Sequence, residues 1–129
     1  MPIKVEWDDT AHTVIHETYS GTWTIEDNRA ERQLVLSMLE GDGPVVDMIV
    51  ELDNMKFPAS IVGHFSEMSR SPASHHPRLG VFALVGLGSF ENTLFQIFCK
   101  VYEVQARRLL LADSVEEARR LLAERRTKP

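Results

Sequence analysis

The chain has 129 residues, with 43% apolar and 26% charged side chains, which suits one globular domain with one core. Its net charge of −5 argues against a surface for phosphate backbones and so excludes nucleic acid as a partner. A single cysteine, Cys99, excludes an internal disulfide; with no signal-peptide core and no apolar run of bilayer length, a cytoplasmic protein without membrane insertion is expected.

Ile3, Val5 and Trp7 alternate with Lys4 and Glu6, the pattern of a half-buried strand. Asp8-Asp9-Thr10 suits a turn, and residues 12–19, rich in Thr, Val, Ile and Tyr, read as a second strand paired with the first as a hairpin. Thr24 is a good N-cap, with Glu26 and Asp27 in the first turn where the helix dipole favours anions. That helix runs through Ala30, Leu34, Val35, Met38 and Leu39, until Gly41-Asp42-Gly43-Pro44 stops it.

Residues 45–52 form the central stretch. They are almost continuously apolar and largely β-branched, as in a strand covered on both faces, and Glu51, Asp53 and Asn54 mark where it leaves the core. Pro58 suits the first turn of a helix reaching Arg70, with Ile61, Val62, Phe65 and Met68 at helical spacing. A polar loop over residues 71–77 precedes another strand, Leu79 to Val85. Gly86-Leu87-Gly88 turns that strand into a helix capped by Ser89. Residues 107–111 form the last strand, and Ser114 with Glu117 makes a capping box for a final helix whose apolar side is Val115, Ala118, Leu121 and Leu122. The order ββαβαβαβα, joined by right-handed crossovers, implies a single α/β domain over residues 1–129. Its sheet is mainly parallel, with an antiparallel N-terminal edge.

The helix over residues 90–105 is too apolar for a surface helix. Its apolar side chains cover roughly 220° of arc, where a stripe of about 100° suffices. One flank, Phe95, Phe98, Cys99 and Tyr102, needs cover beyond the sheet: a neighbouring helix, a second subunit in a two-fold homodimer, or an apolar ligand.

Catalytic and metal motifs are sparse. Glu51 and Asp53 point to one side of an extended segment but have no third ligand placed by spacing, and read as a solvated strand end. Gly86-x-Gly88-Ser89 lies where N–H groups can hold an anion, but Glu91 stands where a dinucleotide fingerprint wants a third glycine. His75 and His76 diverge as neighbours, His12 and His16 lie on a strand, and His64 sits among apolar residues, so no metal or other cofactor is expected. Cys99 has no obvious base nearby and reads as a small hydrophobe. Nothing sets a nucleophile, a base and oxyanion donors together, so no catalytic residue is assigned.

Three stretches carry a family likeness: residues 19–27 (YSGTWTIED), residues 46–53 (VDMIVELD) and residues 80–86 (GVFALVG). Together they resemble the STAS-like, SpoIIAA-like group, which contains bacterial anti-sigma factor antagonists. The resemblance implies a (βα)n domain. In the antagonists, the loop after the central strand carries Asp-Ser-Ser/Thr-Gly, and a kinase phosphorylates one of its hydroxyls to switch partner binding. The matching stretch here, residues 57–63 (FPASIVG), keeps one hydroxyl, Ser60, as a candidate phosphosite; Ala59 stands where the Asp would be, and the following Gly is absent at its place. The resemblance therefore implies a non-enzymatic module that lacks the phosphorylation motif. Such a module would meet a regulatory protein through a loop face of Asp53, Asn54, Ser60, Gly86, Gly88 and Ser89. The alternative is a small-molecule or lipid carrier with Phe95, Phe98 and Tyr102 as a pocket wall.

Overall fold

The computed structural model describes residues 2–127. Its elements are β1 (Ile3–Trp7), β2 (Val14–Thr22), α1 (Ile25–Met38), β3 (Val46–Lys56), α2 (Ile61–Arg70), a 3₁₀ turn (Ala73–His75), β4 (Leu79–Val85), α3 (Ser89–Val101), α4 (Glu103–Ala106), β5 (Leu109–Ala112) and α5 (Val115–Thr127). The strands lie in sequence order across one sheet, β1 antiparallel to β2 and every later pair parallel. The fold is thus α/β with the predicted element order.

Each parallel crossover steps in the same direction along the sheet, so right-handed connections put α1, α2 and α3 on one face. On that face Tyr19 packs with Trp23, Ile61, Phe65 and Leu94, and Ile15 with Val35 and Leu39. The last helix, α5, covers the opposite face, where Ile49, Ala83 and Ala112 meet Ala118 and Leu122.

Local chemistry explains most boundaries. Thr24 accepts from the Asp27 N–H, and the Asp27 carboxylate accepts from the Thr24 N–H, a complete capping box for α1. Ser114 accepts from the Glu117 N–H, but the returning Glu117 carboxylate accepts from Asp113 rather than Ser114.

Several expected boundaries move. β3 does not end near Asp53; β2 runs on to Thr22 and pairs with it as far as Lys56, with a bulge that leaves Asn54 unpaired at φ 51°. Asp53 and Asn54 therefore stand on a strand end, not in a loop. Helix α2 begins at Ile61, because Pro58, Ala59 and Ser60 form a turn ahead of it. Gly88, not Ser89, is the N-cap of α3, and Ser89 is its first helical residue. The long apolar helix is interrupted at Tyr102, whose backbone leaves the helical region (φ −119°, ψ 65°) while its ring packs 5.0 Å from that of Phe98.

Asp47, the polar exception of the central strand, is buried and ties α5 down. One carboxylate oxygen accepts from the Val81 N–H at 2.9 Å and the other from Arg126 Nε at 3.0 Å. Gly80 fits beside it because any Cβ there would collide with that carboxylate.

Candidate functional site

The two faces of the sheet are packed differently. Under α5, Ile49 and Ala83 are fully buried. On the other face, Val50, Leu52, Phe82 and Leu84 belong to the same central strands yet are only half-buried. Helices α2 and α3 stand off the sheet and reach it mainly through side chains, whereas α5 lies directly on β3 and β4. The space left is a cavity of about 240 Å³, walled mostly by apolar side chains, among them Leu52, Phe82, Leu84, Phe95 and Phe98.

One end of this cavity is polar. Along β2, alternation sends Ile15, Glu17 and Tyr19 to the cavity face. Along α1, Asn28, Glu31, Val35 and Leu39 recur at three- and four-residue spacing and form the buried stripe. The two patterns meet, bringing Glu17 (3% exposed) against Glu31 (5% exposed). Val5 and Val50 flank Glu17 on the adjacent strands. Asn28 Nδ2 donates to the Tyr19 hydroxyl at 3.1 Å, and Asn28 Oδ1 lies 3.1 Å from His64 Nε2, so the assigned tautomer has His64 donating to Asn28. Arg32 bonds the Glu67 carboxylate and main-chain carbonyl outside the cavity.

Electrostatics follow from that burial. Loss of water pushes the Glu17 carboxyl well above its usual range, and the Glu31 charge beside it adds to the shift. Burial also raises Glu31, opposed by its hydrogen bond with Glu17 and by Arg32. Burial and the neighbouring carboxyl thus favour a proton on the pair, shared between Glu17 and Glu31. The Tyr19 hydroxyl is raised by burial and by both acids. Outside, Arg29 and Arg32 hold Glu67 down at about 2. Among the described residues Glu17 Oε2 and Arg32 Nε are buried without any hydrogen-bond partner, although both residues line the cavity. Native proteins rarely leave such atoms unpaired.

The residues singled out from sequence fall in two places. Asp53, Asn54, Ser60, Gly86, Gly88 and Ser89 are all exposed at the carboxyl ends of β3 and β4. Ser60 makes no capping bond. Gly86 has φ 87°, and an added Cβ would lie 2.5 Å from the Leu52 carbonyl, so glycine is required where the β4–α3 turn crosses β3. Glu51 is turned to His16, whose Nε2 lies 2.9 Å from its carboxylate.

The apolar helix is rolled relative to expectation. Phe95 and Phe98 line the cavity, Phe98 meets Phe65 edge-on at 5.4 Å, and Tyr102 packs beside them. Cover for this flank comes from α2, because aromatic side chains bury the most apolar area by turning inward. The exposed side chains are instead Phe90, Ile97, Val101 and Val104. Cys99 is half-buried, and burial raises its thiol above the ordinary value.

Among the described residues no group of three or more His, Cys, Asp or Glu side chains is arranged to hold a metal ion, and no helix is long and apolar enough to cross a membrane. No protein-family model matches the chain, and no curated protein is similar to it.

Proposed function

We propose that the chain is a non-enzymatic small-molecule-binding module whose ligand lies between the sheet and helices α2 and α3. One observation carries this proposal: an apolar cavity of about 240 Å³ that ends on a buried carboxyl with an unpaired oxygen. Protein interiors leave few spaces larger than a water molecule, so an apolar-walled opening of this size between sheet and helices suits an occupant. Benzene occupies a cavity of about 150 Å³, which scales to a ligand here of on the order of ten non-hydrogen atoms. The STAS-like resemblance is part of the proposal in its carrier form, supported by the element order and the three quoted stretches; a cytoplasmic setting is supported by the single cysteine.

The test is uptake of toluene followed by NMR. Toluene should shift resonances of Leu84 and Phe98, and Leu84→Trp, which fills the space, should abolish the response. A spectrum unchanged at saturating toluene would reject the proposal.

A second reading, a homodimeric interaction module, is favoured by the exposed flank of Phe90 (64% exposed), Ile97, Val101 and Val104. Here a second copy covers that flank, and the regulator-binding face is the exposed set from Asp53 to Ser89. Sedimentation should then give a dimer that Ile97→Glu converts to a monomer.

A further inference from the structure

The polar end of the cavity narrows the ligand's chemistry. Glu17 lines the cavity with a side chain that is 3% exposed, and its Oε2 has no hydrogen-bond partner among the described residues. Beside it stands a second buried carboxyl, Glu31, also on the cavity wall. Valines flank Glu17 on both neighbouring strands, so no adjacent strand residue supplies a donor. The ionisable groups around the pair are Tyr19 on the same strand, Arg32 from α1, and His64 from α2, one residue removed through Asn28. Arg32 is drawn outward by Glu67, and His64 is held by Asn28, so neither supplies the pair with a full counter-charge.

Beside the two acids an anionic head group is disfavoured, and the cation elsewhere on the wall, Arg108, is already bonded to the Gly80, Ser74 and Leu79 carbonyls. An ammonium group carries enough N–H donors to bond both carboxyls at once, including the unpaired Glu17 oxygen. Tyr19, Trp23 and Phe65 also line the cavity, and aromatic rings there suit a cation's apolar surroundings.

We propose that the ligand is a small organic amine, bound as its cation, with the ammonium between Glu17 and Glu31 and an apolar body among Leu84, Phe95 and Phe98. This assignment rests on the cavity-binding proposal above and gives it a head-group preference. Burial and mutual repulsion favour a proton on the free pair; when the ammonium enters, the proton held there leaves to solvent and both carboxylates face the cation, so binding is accompanied by proton release.

The experiment is calorimetry of the full chain with three probes of matched size: 2-phenylethylamine, 2-phenylethanol and 3-phenylpropionate. Titrations run at pH 7 in phosphate and in Tris, which differ in heat of ionisation. The amine is expected to bind at least tenfold more tightly than the alcohol, with a buffer-dependent heat that reports proton release. Glu17→Gln and Glu31→Gln should each bring the amine-to-alcohol ratio near unity and remove the proton release. Equal affinity for amine and alcohol without proton release would overturn the amine assignment and leave the cavity proposal standing. Tighter binding of 3-phenylpropionate would overturn it in favour of Arg32 as the head-group contact. Failure of all three probes, together with toluene, would reject both.

Discussion

Glu17→Gln keeps the shape of the side chain and removes a carboxyl that burial pushes toward its protonated form. In the folded protein the Glu17 carboxyl titrates well above its ordinary value of 4.5, first because burial penalises its charge and then because Glu31 repels it. Between the unfolded and folded values, the folded state holds one proton more than the unfolded chain. Stability is therefore fully present below about pH 4.5 and falls as pH rises toward the folded value, by about 1.4 kcal/mol per pH unit. His64 acts in the opposite sense: burial lowers it from 6.5, so it weakens the fold as pH falls through that region. Because His64 is present in both proteins, their difference removes its contribution and reports the Glu17–Glu31 pair. Glu17→Gln should match the parent near pH 5 and be the more stable of the two at pH 8. Urea unfolding of both proteins at half-unit steps from pH 5 to 8.5 measures this. Parallel stability curves, or a constant deficit in the variant, would show that Glu17 is not a buried acid sharing a proton.

Two further substitutions test the opposite face and the exposed rim. Asp47→Ala leaves the Val81 N–H buried without an acceptor and frees Arg126, and should cost about 3 kcal/mol in urea unfolding. Ser60→Asp and Asp53→Ala change exposed side chains and should each move stability by no more than about 0.5 kcal/mol in thermal melts, so any loss of partner binding in these variants reads as a contact effect.

Much of the fold is written in local signals: the Gly-Pro punctuation before β3, the alternation of β1, and the caps at Thr24 and Ser114. Strand order is not among them, because it depends on which faces meet. The end of β3 is missed for a related reason: Glu51, Asp53 and Asn54 look like an exit from the core, but a strand is continued by its partner's hydrogen bonds, and β2 offers these as far as Thr22. The cavity's polar end is missed because Glu17 lies within an Ile15-x-Glu17-x-Tyr19 alternation and Glu31 within an Asn28–Glu31–Val35–Leu39 stripe. Attention to helix positions that are apolar, Leu34 above all, points to the wrong side of α1; Leu34 is 44% exposed. The usable signal is a pair of acids at inward positions of two successive elements, which ordinary core packing would fill with apolar residues.

The two faces of the sheet divide the work of the chain. Under α5, small and β-branched side chains close fully, and Asp47 joins β3, β4 and α5 through bonds that all find partners. Under α2 and α3, the strands are left half-covered and a carboxyl is left short of a partner. A defect of packing alone would favour apolar replacement of Glu17 and Glu31, since a buried acid pair costs stability that an apolar pair would not. The apolar opening and the acids fall at the same place and on the same side of the sheet. A single occupant with an apolar body and a hydrogen-bond-donating cationic end offsets both together, whereas water relieves only the acids and a simple hydrocarbon only the void. That coincidence ties the shape of the cavity to the chemistry of its end.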